Sequence, residues 1–275
     1  MQVFETIAAF RTARKAYGTL GFVPTMGFLH EGHLSLVRRA KAENGVVAVS
    51  IFVNPTQFGP NEDYASYPRD PDRDLALLKD AGADLVFLPT PEILYPSGFA
   101  TRIEVGGVAE ELEGQSRPGH FSGVATVVTK LFNIVQPQRA YFGQKDAQQC
   151  AVVRRFVADL DIPVEIVVCD IARENDGLAR SSRNVRLTPE NREKAPALYQ
   201  ALQEATRLFR SGERNTDVLE GALRVSLIKA GLPDIDYATV VNADTFRRED
   251  PCSENALALL AVQAGAVRLI DNMLL

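Results

Sequence analysis

The sequence predicts an α/β fold: a doubly wound parallel sheet followed by a smaller C-terminal α+β module. Three observations carry that reading. Short apolar runs alternate with amphipathic helix patterns through the first 170 residues or so. Several of the runs are apolar at nearly every position, as strands buried on both faces of a parallel sheet must be. After about residue 171 the rhythm changes to two helices followed by three strand-like segments.

In chain order, "MQVFETIAAFRTARKA" places Val3, Phe4, Ile7, Ala8 and Phe10 on one face of a first helix. The parallel strands are "LGFVPT" (20–25), "VVAVSIFVN" (46–54), "DLVFLP" (84–89), "RAYFG" (139–143) and "VEIVVC" (164–169). Helices fill the gaps at 33–43, at 71–82 behind Pro71, at 122–135 and at 146–159 behind Asp146. "TRIEV" (101–105) is expected to add a peripheral strand. Beyond 171, helices are expected at 189–211 and 216–230, the second ended by Gly231 and Pro233. "YATVVNA", "NALALLAVQAG" and "AVRLIDNML" then supply three strands. The domains expected are 1–171, Rossmann-like and ligand-binding, and 172–275, an α+β lid.

Composition narrows the function classes. A net charge of −5 and a pI near 5.4 argue against a nucleic-acid footprint. Three separated cysteines, Cys150, Cys169 and Cys252, form no CxxC pair and suit neither a disulfide framework nor a zinc ribbon. The N-terminus lacks a secretory apolar core, and no apolar run is long enough to span a bilayer. The expectation is a soluble, cytoplasmic protein without membrane or nucleic-acid partners.

The unusual polar residues follow the strands. After the first strand comes "PTMGFLHEGH", after the second "NPTQFGPNEDYASYPRD", after the fourth "GQKDAQQ" and after the fifth "DIARENDGLARSSRN". Ligands of open α/β sheets bind where those loops converge. Two of the three histidines, His30 and His33, sit in "MGFLHEGH" at the start of a helix. Orphan backbone N–H groups make such an end an anion site, and imidazoles add donors to it. A zinc site of the HExxH kind needs histidines four apart on one helical face. Here they are three apart, with only His120 left as a third ligand.

His-x-Gly-His after the first strand resembles the signature of the HIGH-type nucleotidyltransferase superfamily. The motifs "PTMGFLHEGHLSLVRRA", "VSIFVNPTQFGPNEDYASYPRD", "FGQKDAQQ" and "ARSSRN", with "RPGHFSGVATVVTKLFNIVQP" at 117–137, closely resemble the pantoate–β-alanine ligase family over essentially the full chain. The resemblance implies two half-reactions. Pantoate attacks the α-phosphorus of ATP, giving pantoyl adenylate and pyrophosphate; β-alanine then displaces AMP. It implies a homodimer and a magnesium ion accompanying ATP.

Roles follow from the resemblance at matching positions. His30 and His33 would stabilise phosphate, with His33 the proton donor, and Met26, Gly27, Phe28, Leu29, Glu31 and Gly32 would complete the lining of the ATP cleft. Gly143 and Asp146 would contact the ribose side with Gln144, and Ala172 the adenine through its backbone. Lys145 would neutralise phosphate charge. Ser181, Ser182 and Arg183 would grip the phosphates. Arg180 stands where the family more usually has Met and would add a charge to that loop. Gln57 and Gln149 would clamp pantoate, with Asn54, Pro24 and Thr25 beside them. Asp72 and Asp74 read either as outer-shell magnesium ligands or as acids of a helix's first turn. "NEDYASYP" is expected to cover the site. Two rival readings are a nucleotidyltransferase that leaves its nucleotidyl group on the product and a silent nucleotide-binding regulator.

Overall fold

The computed structural model describes residues 1–60 and 62–275. Asn61, in the segment expected to cover the site, lies outside the described residues. The chain divides into two compact units, 1–143 with 149–170, and 144–148 with 171–275.

The first unit holds a six-stranded parallel sheet. Its strands are β1 (Gln2–Phe4), β2 (Gly21–Thr25), β3 (Val47–Ile51), β4 (Leu85–Phe87), β5 (Arg139–Gly143) and β6 (Glu165–Cys169), in the spatial order β1-β4-β3-β2-β5-β6. Counted from β2, that is the doubly wound order 3-2-1-4-5 with β1 added at one edge. Helices α1 (Ile7–Arg14), α2 (Glu31–Glu43), α3 (Pro71–Asp80), α4 (Pro91–Leu94), α5 (Glu113–Ser116), α6 (His120–Val135) and α7 (Ala147–Asp159) complete the α/β alternation. Two hydrophobic cores form in this unit: one contains Phe10, Phe22, Phe87 and Phe132, the other Val23, Leu36, Val49 and Val86. Phe22 and Val23 are consecutive, so they leave β2 on opposite faces, which is why its run is apolar throughout.

The first helix is shorter than its sequence pattern. Val3 and Phe4 belong to β1, which pairs with β4 at Val3–Val86 and Phe4–Phe87, and Thr6 caps α1 by accepting the Ala9 N–H. Two extended residues ahead of a capping threonine form a strand because a partner strand is there to pair with. The expected strand at 101–105 is absent: that segment is irregular, and its Ile103 N–H donates to Thr126 Oγ1 instead.

In the second unit, α8 (Pro189–Lys194), α9 (Ala197–Arg210) and α10 (Thr216–Lys229) accompany an antiparallel sheet of β7 (Ile235–Asn242), β8 (Ala256–Ala264) and β9 (Val267–Leu274). The single helix expected at 189–211 is two, because Pro196 has no N–H to continue the ladder. Leu198, Leu202 and Phe209 of α9 and Leu219, Leu223 and Leu227 of α10 bury one face each with Ala258, Leu260 and Val262 of β8.

Candidate active site

Pro24 marks where the sheet opens. Pairing of β2 with β5 ends at Phe22–Ala140, whereas β2 pairs with β3 as far as Thr25–Ile51 and β5 with β6 as far as Gly143–Cys169. A proline cannot donate to a ladder, and β2 and β5 have parted by the time the chain reaches it. They part at the carboxyl ends of the two strands flanking the reversal of strand order, the usual ligand crevice of this architecture.

The loop leaving β2 is held in a tight course. Thr25 Oγ1 donates to the Ser50 carbonyl at 2.8 Å and accepts the Gly27 N–H at 3.3 Å. Gly27 and Phe28 both adopt positive φ, 81° and 49°. A Cβ on Gly27 would also lie 2.9 Å from Ile51 Cγ2 and 3.0 Å from Asp74 Oδ2, so both conformation and space demand glycine. The reversal aims two successive N–H groups at Asp74, whose Oδ2 accepts from Phe28 and Oδ1 from Leu29, both at 2.7 Å. Asp74 is only 1% exposed, and its burial pushes the carboxyl up while the two N–H donors pull it back. The side chain read as a possible magnesium ligand is thus committed to the backbone of the loop. Asp72 is exposed in the first turn of α3.

His30 and His33 do more than flank the helix. His30 is the N-cap of α2 and His33 its third residue, and together they close a reciprocal capping box. His30 Nδ1 accepts the Gly32 N–H at 3.1 Å, and His33 Nδ1 receives the His30 N–H at 3.4 Å. An Nδ1 that accepts a hydrogen bond carries no proton, so the bonds assign the proton of each imidazole to Nε2. The rings lie 4.1 Å apart between centroids. The amide donors of the helix start are therefore partly used by the histidines themselves, which in turn hold Nε2–H groups. Glu31 pairs with Arg38 on the exposed side of α2.

Gln57, Met26 and Asn54 meet in the same unit. Gln57 is buried, donating from Nε2 to Met26 Sδ at 3.1 Å and accepting at Oε1 from Asn54 Nδ2 at 3.1 Å. Asn54 itself is saturated: Nδ2 also donates to the Gly123 carbonyl, and Oδ1 accepts from Thr56 Oγ1 at 2.9 Å and Tyr95 Oη at 2.8 Å. Its amide thereby orients Gln57. Behind Gln57 lies a polar network that sequence reasoning missed. The Gln57 carbonyl accepts from His120 Nδ1 at 2.9 Å, and His120 Nε2 accepts from Arg117 at 3.1 Å. Arg117 also binds Glu62 at 2.6 Å, with Glu113 at 4.0 Å. Burial first, then the charge of Arg117, pushes His120 down to about 4. No spacing links His120 to Gln57, so only "RPGHF" as a whole could have drawn notice. Gln149, half-buried, begins the second half of the first unit on α7.

In the second unit, Gln144, Lys145 and Asp146 form one 3₁₀ turn, with Lys145 Nζ 3.6 Å from Asp146 Oδ1. The segment around Ala172 folds back on itself through an Arg173–Ala179 bridge, and the Ala172 carbonyl accepts the Arg180 N–H at 2.9 Å. Arg180 pairs with Glu174 at 3.2 Å and donates to the Arg173 carbonyl. Ser181 Oγ caps the turn Ser182–Arg186 by accepting the Arg183 N–H at 3.2 Å, and Ser182 is buried. Among the described residues, no group of three or more His, Cys, Asp or Glu side chains could hold a metal ion. None of their helices is long and apolar enough to cross a membrane.

The family model of pantoate–β-alanine ligases matches residues 2–274. The chain belongs to the pantoate–β-alanine ligase family. It is 87% identical over 273 residues to a pantothenate synthetase of Gluconobacter oxydans, covering 99% of each chain. It is 59% identical to one of Chloroflexus aggregans over the full length of both. The crystal structure of pantothenate synthetase from Thermus thermophilus superposes with a TM-score of 0.96 at 49% identity, covering 100% of this chain and 99% of that one. A ligase of this family from Francisella tularensis, solved with β-γ ATP and β-alanine, gives a TM-score of 0.82 at 38% identity, covering 100% of this chain and 97% of the other. Fold and family expectations agree with these relatives.

Proposed function

We propose that this chain joins pantoate to β-alanine at the expense of ATP, through pantoyl adenylate. Membership of the ligase family supports the overall reaction, and the His30–His33 capping box is the observation that carries the mechanism. Pantoate's carboxylate oxygen attacks the α-phosphorus, and the P–O bond to pyrophosphate breaks. Negative charge gathers on the non-bridging and leaving oxygens, where preorganised donors lower the barrier most. Two imidazoles with protons assigned to Nε2 are such donors, held by the helix start and the Asp74-bound loop. His33 gives the hydrogen bond or proton to the developing charge; His30 supports it.

Gln57 and Gln149 hold pantoate through neutral amides, so the acid is oriented without being paired to a cation that would blunt its attack. Lys145, Ser181, Ser182 and Arg183 take phosphate charge as ATP rearranges. A magnesium ion accompanying ATP would neutralise phosphate charge, and Asp72 would face its outer shell. In the second half-reaction the β-alanine nitrogen attacks the acyl carbon, loses a proton, and AMP departs with the C–O bond electrons. On this reading residues 1–171 bind nucleotide and pantoate, residues 172–275 serve as the lid, and the protein is a cytoplasmic homodimer with a mass of about 60 kDa, twice the 30.1 kDa chain. The deciding experiment measures AMP and pyrophosphate with ATP, pantoate and β-alanine omitted in turn. AMP release should require all three; release without β-alanine would exclude the ligase reaction as written.

A further inference from the structure

Asn272 is an unlikely residue for its position. It lies in β9, opposite Leu259 of β8, and is 1% exposed. Asparagine is depleted from strands, and a buried amide is costly unless every donor and acceptor is met. Here they are met by one short segment. Nδ2 donates to the Gln144 carbonyl at 2.9 Å and to the Lys145 carbonyl at 3.0 Å, while Oδ1 accepts from Gln144 Nε2 at 3.1 Å. A three-residue 3₁₀ turn supplies few backbone bonds of its own. One side chain thus holds the carbonyls of both Gln144 and Lys145.

Asn272 is itself held. Its N–H donates to Asp271 Oδ1 at 2.8 Å, and Asp271 takes a two-pronged ion pair from Arg173 at 2.6 and 3.0 Å. The Arg173 guanidinium lies 4.2 Å from the centroid of the Tyr199 ring. The clasp is thus braced against α9 and the segment leading to Arg180. Only an amide of this length offers two donors and an acceptor at once; a serine serves one carbonyl and an alanine none.

We infer that Asn272 is the positioning residue for Lys145: it fixes the two carbonyls flanking the lysine's peptide, and through them the place of the ammonium during adenylation. The inference rests on the reading that Lys145 neutralises phosphate charge. A lysine ammonium rides on a flexible stem, so its location depends on its backbone, and a shift of about 1 Å at a reacting group can cost roughly 10²-fold in rate.

The test is a double-mutant cycle of Asn272→Ala and Lys145→Ala in the full-length protein, read by pantoate-dependent exchange of pyrophosphate into ATP. Asn272→Ala should slow exchange at least tenfold, and the double variant should be no slower than Lys145→Ala alone. Conversion of preformed pantoyl adenylate with β-alanine should change less than twofold in Asn272→Ala. Asn272→Ser, which keeps one donor, should fall between wild type and alanine and stands in if the alanine variant fails to fold. Multiplicative losses in the cycle, or equal losses in both half-reactions, would overturn the inference. Wild-type exchange that needs no pantoate would instead refute the functional reading; the cycle would still report Asn272–Lys145 coupling in that exchange.

Discussion

The carboxylate of Asp74 accepts the backbone N–H of Phe28 at 2.7 Å, 46 positions away in sequence, and its second oxygen does the same for Leu29. One acid on α3 therefore fixes the loop that leads into His30. Asp74→Asn keeps the shape but turns an N–H₂ toward an N–H, losing one bond and opposing two donors. Hydrogen bonds to charged groups are worth roughly 1.5–3 kcal/mol, and a buried donor left unmatched adds to the loss. Asp74→Asn should lower stability by about 3 kcal/mol in urea unfolding and slow adenylation. Its magnesium requirement should match wild type, whereas a shifted magnesium optimum would return Asp74 to the metal.

Gln57 offers a cleaner separation of substrates. Its amide is oriented by Asn54 and its backbone by His120, within one unit. Gln57→Ala should raise the KM for pantoate about tenfold, or about 1.4 kcal/mol in line with loss of a hydrogen bond to a charged acid, with ATP affinity within twofold of wild type. Equal losses for both substrates would remove Gln57 from the clamp.

The strands of the parallel sheet were legible because burial on both faces leaves a continuous apolar run, as in "VVAVSIFVN". β1 was not, since three residues of strand only make sense beside β4, and the break at Pro196 was masked by helix periodicity on both sides of it. Site residues that touch loops in sequence were visible as motifs. The contacts of Asp74, His120 and Asn272 were not, because each acts on a backbone group 45, 63 or 127 positions away. A side chain chosen to satisfy a distant carbonyl or N–H leaves no local spacing to read.

The pH dependence of stability should report His120. Burial and Arg117 hold it at about 4 in the folded protein, against 6.5 for the ordinary imidazole. Between those values the unfolded chain binds a proton that the native state refuses, so stability rises with pH across the window. The contribution is complete above about pH 6.5 and is lost as pH falls toward 4. From pH 7 to pH 5 the loss from this group is about 2 kcal/mol, at 1.36 kcal/mol per pH unit below 6.5. His120→Gln, which cannot titrate, should show a flatter stability profile over that range. An unchanged slope would mean that His120 does not remain neutral in the native state.

His33→Ala tests the chemistry most directly. The substitution removes the Nε2 donor assigned by the His30–His33 capping box and also the acceptor for the His30 N–H. Loss of one preorganised donor costs roughly 10²–10³ in rate, about 2.7–4 kcal/mol, and the loss should fall on adenylation. Pantoate affinity should change little, since the proposed mechanism has Gln57 and Gln149 hold the acid. Supplying preformed pantoyl adenylate bypasses the slowed step, so the variant should recover most of its turnover with β-alanine. If it does not recover while its circular dichroism matches wild type, His33 also serves aminolysis. If adenylation proceeds at the wild-type rate, the charge that develops on phosphate is stabilised elsewhere, and the histidine pair is only a helix cap.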